Sequence, residues 1–262
     1  MKNQSQQKII RMITQTALFI GLALVVRMFS ISVYFFGIMG MRIGFAGIFS
    51  KLPALIFGPF MGGIAGGAID ILGYLIKPEG AYIPLITLTA ILESVLAGLL
   101  WKGLKDTDTK KLQVALWIIF VSIGIIGGIN IISTTYYPDS AISQALDSVG
   151  KNKDFFALGL VVVAGTGILL LLIDLIVRKR YPQAKVHRNY IKLLITMGVA
   201  SLTVTVLNTW ILQLFFPELG AMAFVVFLVP RVVKEIFTIV IQSYIAAFLL
   251  SIYDRIIGPS HS

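Results

Sequence analysis

The chain has 262 residues, of which 57% are hydrophobic and only 13% charged, and its mean hydropathy is +0.91. An ordinary soluble domain is about 25% charged, so this composition excludes one and indicates an integral membrane protein. The net charge of +10 is spread among loops rather than gathered into a stripe with aromatics, which argues against nucleic acid as a partner. Cysteine is absent, so disulfides, thiolate metal sites and thiol nucleophiles are excluded together. Two isolated histidines, His187 and His261, do not make a metal site.

Apolar runs long enough for the roughly 20 residues that a helix needs to cross the hydrocarbon core recur along the whole chain. The short alternating segments of a closed barrel are absent. The predicted fold is therefore all-α: a polytopic bundle of about eight transmembrane helices in the cell membrane. The spans are read at about 12–35, 43–58, 60–76, 85–101, 113–134, 155–177, 191–215 and 222–253. The first run lacks a small-x-small cleavage pattern, so no cleaved leader is expected. Segments 1–11, 102–112, 178–192 and 254–262 hold fourteen of the 22 lysines and arginines, while the loop at 135–154 is slightly acidic. By the positive-inside rule both termini are expected in the cytoplasm. The polar connections are too short to bury a core of their own.

Along the spans, Gly62-x-x-x-Gly66 and Gly63-x-x-x-Gly67 have the spacing that lets helix backbones approach closely. They lack the lysine and the preceding strand of a phosphate-binding loop. A charged side chain at the bilayer centre costs about 2.5–3.5 kcal/mol, so each needs a partner, a wet cavity or a reason. In this threading Arg27, Arg42, Lys51, Lys77 and Glu79, and then Arg231 and Lys234 after Pro230, gather toward the external half. Snorkelling to the headgroups accounts for Arg27, Lys51 or Lys77 as readily as ligand binding does. Arg42 and Arg231 lie near helix-breaking residues and short loops, and there a site for an anionic solute is the better reading, because guanidinium groups bind carboxylates bidentately. An interfacial belt accounts for most of the nearby aromatics, Phe35, Phe36, Phe45, Phe49, Tyr74, Tyr82, Trp210, Phe215 and Phe216, and one or two could stack on a flat ligand. Among the carboxylates, Asp70 is expected to pair with a basic neighbour and Asp174 with the run Arg178 to Arg180. Glu93 has no assigned role.

These residues resemble a known family, the membrane-embedded substrate-binding (S) components of energy-coupling factor (ECF) vitamin transporters, and within it the folate-type branch. The likeness is carried by Arg42-Ile43-Gly44-Phe45, Phe57-Gly58-Pro59 followed by Gly62-Gly63, and Asp70-Ile71-Leu72-Gly73. It continues through Lys77-Pro78-x-Gly80-Ala81-Tyr82-x-Pro84 and Thr87-Leu88-Thr89-Ala90. Near the C-terminus, Leu207-Asn208-Thr209-Trp210 and Leu228-Val229-Pro230-Arg231-x-x-Lys234 resemble the last two helices of the family.

The resemblance implies a six-helix core made of 1–105 and 190–262, with 106–189 an inserted helix pair bearing an external loop. It implies a vitamin-binding subunit of an ECF-type importer, not an enzyme and without a cofactor. Such a subunit captures folate or a related anionic vitamin outside and docks on a coupling subunit that carries two ATPases. The bundle then topples to release the vitamin inside. On that reading Arg27, Arg42 and Arg231 hold anionic groups, with Lys51 a fourth. Thr87 and Asn208 read the edge of a heterocycle, Trp210 stacks on it, and Pro78 and Gly80 shape a closing loop. Ala17 and Gly21 touch the coupling subunit. Three departures, Lys51, the displaced Pro53 and Leu85-Ile86 after Pro84, bear on which vitamin is bound. The rival readings are an ion-coupled secondary transporter of a small anionic solute using Asp70 or Glu93, a membrane-embedded enzyme, and an assembly subunit.

Overall fold

A computed structural model describes residues 2–35, 38–78, 80–140, 143, 153–180 and 185–257. Phe36, Glu79, His261 and residues 144–152 of the predicted external loop lie outside them. In chain order the elements are α1 (Lys2–Met28), β1 (Ile31–Phe35), β2 (Ile38–Ile43), α2 (Ala46–Phe57), α3 (Pro59–Ile76) and α4 (Pro84–Leu104). They continue with α5 (Thr109–Tyr136), α6 (Lys153–Arg180), α7 (Lys185–Phe215), the single turn α8 (Pro217–Gly220) and α9 (Phe224–Ile257).

Six of these helices are long and apolar enough to cross a membrane: most of α1, α3, α4, α5, the middle of α6 and most of α7. The second expected span is too short. At 12 residues α2 rises only about 18 Å, well under the hydrocarbon thickness. Gly58, at φ +99°, turns the chain in a conformation that L side chains rarely adopt, and Pro59 then opens α3 at its first helical position. The eighth expected span, α9, is the longest helix at 34 residues and carries Arg231, Lys234 and Glu235 in its first half.

The expectation of a purely helical chain needs one correction. Residues 31–43, read as the end of span one and a loop, pair as an antiparallel hairpin with Ile31 opposite Ile43, Ser32 opposite Arg42 and Val33 opposite Met41. The next pair is Tyr34 with Met39, so Gly40 is the extra residue of a bulge. Ile31, Val33, Ile38 and Ile43 are β-branched and favour a strand, but in a long apolar run they cannot be told from helix by hydropathy alone.

The bundle is inside out relative to a soluble protein. Ile10, Leu18, Phe60, Leu75, Ile118 and Ile176 are exposed, whereas Arg27, Lys51, Asp174, Arg231 and Glu235 are buried. The main apolar core centres on α2, with Ile48, Leu52, Leu55 and Ile56 packed against Trp101 of α4, Leu171 of α6, Met197 of α7 and Leu250 of α9. Short as it is, α2 is therefore enclosed by the longer helices.

The paired glycines do what their spacing predicts. A Cβ on Gly62 would lie 2.3 Å from that of Ala54 in α2, and one on Gly66 would lie 2.6 Å from the Ala90 carbonyl oxygen in α4. Helix α3 is thus drawn against both neighbours. Gly66→Ala is expected to cost about 1–3 kcal/mol by forcing backbones apart. Gly21→Ala, where the added Cβ meets nothing within 4 Å, is expected to be neutral. Thermal unfolding midpoints in detergent check the contrast.

Candidate ligand-binding site

The break at Gly58 and the enclosed α2 leave polar space inside the bundle. One chamber of about 210 Å³ is bordered by Arg27, Ser30, Arg42, Lys51, Asp70, Glu93, Lys234, Glu235 and Gln242, among others. A second, of about 290 Å³, is bordered by Arg42, Asp70, Glu93, Ser201, Thr205, Asn208, Arg231, Lys234 and Glu235. The shared residues make them two parts of one cavity. An apolar recess of about 540 Å³, lined by Phe45, Pro230, Val233, Phe237 and Ile241, meets the first chamber at Gly44, Lys234 and Thr238.

Among the described residues, ion pairs of Arg27, Lys51 and Lys234 organise the walls. Arg27, at the end of α1, donates from Nη1 to the Ile69 carbonyl at 3.2 Å and sits 3.5 Å from Asp70 Oδ1. Gly73 makes room for it, since a Cβ there would fall 2.5 Å from Arg27 Nε. The other Asp70 oxygen accepts from the Thr87 hydroxyl at 2.7 Å, and Tyr82 lies 2.7 Å from the same hydroxyl. Tyr82 in turn packs on Tyr74 at 5.1 Å between ring centroids, and Tyr74 donates to the Gly80 carbonyl. With Lys77 Nζ bonded to the Ser30 carbonyl, the α3–α4 loop is tied down to the end of α1.

The second pair crosses the centre. Lys51 of α2 is only 2% exposed, and its Nζ lies 2.7 Å from Glu93 Oε1 of α4, which also accepts from Ser201 of α7 at 2.6 Å. This gives Glu93 the place the sequence did not supply. Lys234 and Glu235 form the third pair along α9.

Arg231 is different. It is 7% exposed and its guanidinium carbon lies 5.0 Å above the Phe227 ring, yet Nε and Nη1 are buried with no hydrogen-bond partner among the described residues. A buried donor left in that state carries its full desolvation cost, larger for a charged group. A bound anion would remove it.

The family of ECF transporter substrate-specific components matches residues 11–164, more than half of the chain. The chain belongs to that family. It is thus the binding subunit of a transporter, integral to the cytoplasmic membrane, and not an enzyme. The match continues past residue 105 through α5 and into α6. The folate transporter FolT of Clostridium novyi (strain NT) is 37% identical over 84 residues, which are 32% of this chain and 48% of that protein. The chain therefore spans about half the length of that curated relative. No solved structure matches.

In this S component, five of the seven expected ligand-contacting residues border the cavity: Arg27, Arg42, Lys51, Asn208 and Arg231. Two do not. Thr87 is held between Asp70 and Tyr82, and Trp210 is 57% exposed on the outside. Two residues along a helix is a rotation of about 200°, so Asn208 and Trp210 face opposite ways, and only Asn208 reaches the cavity. Lys51 borders it, but its ammonium is engaged by Glu93.

Other lining residues had a signal in the spacing. Arg231, Glu235, Thr238 and Gln242 recur at i, i+4, i+7 and i+11, and Ser201, Thr205, Asn208 and Leu212 do the same on α7. Each set is one stripe of an otherwise apolar helix. Lys51 gives the sharpest test of the buried pairs. Glu93→Ala leaves it buried beside a lost partner and is expected to cost about 3–5 kcal/mol, most of which Lys51→Met in the same chain restores. Chemical unfolding of the two variants measures it.

Proposed function

We propose that this S component captures folate, or a related anionic vitamin, and delivers it through a coupling subunit driven by two ATPases. The observation that carries the reading is the buried guanidinium of Arg231 at the cavity wall, whose Nε and Nη1 have no hydrogen-bond partner among the described residues. Charge adds to it. Arg27, Arg42, Lys51, Arg231 and Lys234 border the two chambers against Asp70, Glu93 and Glu235, an excess of two positive charges. A dicarboxylate such as folate would neutralise that excess, and the partial likeness to a folate transporter points the same way.

The rest of the reading concerns architecture. Both termini lie in the cytoplasm, α9 counts as a span, and the cavity opens outward. Segment 106–189 is read as a helix pair set apart from the binding cavity: the family match runs on to residue 164, but among the described residues those bordering the two chambers come from 1–105 or 190–262. Ala17 and Gly21, both exposed on α1, offer a small-residue face to the coupling subunit. Ion coupling is not favoured, because Asp70 and Glu93 are each committed to a cation.

Calorimetry on the purified chain in detergent, with folic acid, 5-formyltetrahydrofolate, pantothenate, riboflavin, biotin and thiamine, tests the reading. Folic acid is expected to bind tightly without ATP or ions. Arg231→Met is expected to weaken it on the order of 100-fold, in line with the loss of one buried charge-assisted pair. Binding of none of the six would overturn the reading.

A further inference from the structure

The charge on α5 and α6 is uneven between the two ends of the pair. Gly127 of α5 faces Leu160 and Val161 of α6, Gly124 faces Ala164, and Phe120 faces Gly167. This pairing is antiparallel. Continued toward the start of α5, it brings Lys110 and Lys111 level with Lys179 and Arg180 in the last turn of α6. Lys102, in the last turn of α4 just before the short connection to α5, adds a fifth cation. All five are exposed, and none of them takes part in an ion pair among the described residues. The nearby carboxylates are fewer. Asp106 and Asp108 lie in the connection, and Asp108 accepts from the Lys110 amide to cap α5. Asp174 of α6 is buried, and no ion pair joins it to Lys179 or Arg180. At the far end of α5 the exposed residues are instead Tyr136 and Tyr137, followed by Asp139.

The helix faces below these cations are apolar and open. On α5, Lys111, Val114 and Ile118 fall on one stripe at i, i+3 and i+7, and Val114 and Ile118 are 58% and 62% exposed. On α6, Lys179 shares a stripe with Ile176 and Leu172, which are 67% and 44% exposed. Both stripes belong to helices long and apolar enough to cross a membrane. An acidic protein surface would match the cations but not the apolar stripes that continue beneath them, whereas a phospholipid matches both. We infer that this end of the α5–α6 pair is a binding site for an anionic phospholipid. Its phosphate sits among Lys110, Lys111, Lys179 and Arg180, and its acyl chains lie along the two stripes. Long lysine and arginine side chains run over apolar surface to place their charge at headgroup level. Clustered cations beside a membrane helix then favour anionic over zwitterionic lipid. The inference depends neither on which vitamin is bound nor on the side of the membrane where this end lies.

Because the chain has no cysteine, a single fluorophore can be attached at Ile118→Cys, below the basic end, or at Ile132→Cys, near the other end, where both native side chains are exposed. Each labelled chain is placed in phosphatidylcholine vesicles containing the same small fraction of either phosphatidylglycerol or phosphatidylcholine with a nitroxide quencher on its acyl chain. At Ile118→Cys the phosphatidylglycerol quencher is expected to act at least about twofold more strongly than the phosphatidylcholine one, and at Ile132→Cys equally. Adding Lys110→Gln, Lys111→Gln, Lys179→Gln and Arg180→Gln is expected to bring the ratio at Ile118→Cys to about one. Lys8→Gln with Arg255→Gln, which removes exposed cations of α1 and α9 instead, is expected to leave it. Raising the salt from about 0.15 M to about 1 M shortens the Debye length from about 8 Å to about 3 Å. It is expected to bring the ratio toward one, and it decides the matter without the fourfold variant should that variant fail to fold. Equal quenching by the two lipids at Ile118→Cys would overturn the inference. So would a preference that survives the four substitutions or the high salt, or the same preference at Ile132→Cys.

Discussion

Charge held inside an apolar bundle is the constraint on which the rest of this structure depends. A lysine or arginine taken out of water needs a carboxylate, a ring of acceptors or a ligand. Arg27 with Asp70, Lys51 with Glu93 and Lys234 with Glu235 meet that need within the chain. These pairs fasten α1 to α3 and α2 to α4, and Ser201 brings α7 to the central pair. Arg231 has Glu235 nearby on the same helix, but its buried Nε and Nη1 find no hydrogen-bond partner among the described residues, and the proposed binding site rests on that imbalance.

Backbone geometry makes room for the charges. Gly73 clears the space that the Arg27 guanidinium fills, and Gly66 lets α3 lie against α4, whose Glu93 borders the cavity. The positive φ of Gly58 ends α2 early, so that a short helix bearing Lys51 can be enclosed by longer ones. Among the described residues, none of helices α5 and α6 borders the two chambers. The polar interior therefore belongs to the parts of the chain on either side of them, while the apolar exterior suits a lipid surround. An S component needs a cavity that binds and a surface that docks, and neither requires chemistry.

Much of this was legible in the sequence because the cost of misplacing it is high. The membrane class follows from composition, the close helix contacts from the glycine spacing, and the pairing of Asp70 from the expense of an unpaired carboxylate in lipid. Arg27, Arg42 and Arg231 could be nominated on the same ground. What the sequence hid has physical reasons too. The hairpin at 31–43 is apolar enough to pass for helix, and its pairing is a contact between strands that hydropathy does not record. Thr87 is near the right place but its hydroxyl is used by Asp70 and Tyr82, a contest that only three dimensions decide. Trp210 follows Asn208 by two residues and so faces away from it. Glu93 could not be placed because its partners, Lys51 and Ser201, come from helices far along the chain.

The central claim is that Arg231, with its unmatched Nε and Nη1, marks where an anionic ligand sits. The measurement that addresses it most directly is an experimental structure of the chain determined with saturating folic acid. The account expects a carboxylate of the ligand within hydrogen-bond distance of the Arg231 guanidinium, inside the cavity bounded by α4, α7 and α9. Ligand density outside that cavity, or Arg231 bonded instead to a protein carboxylate with the ligand elsewhere, would contradict it.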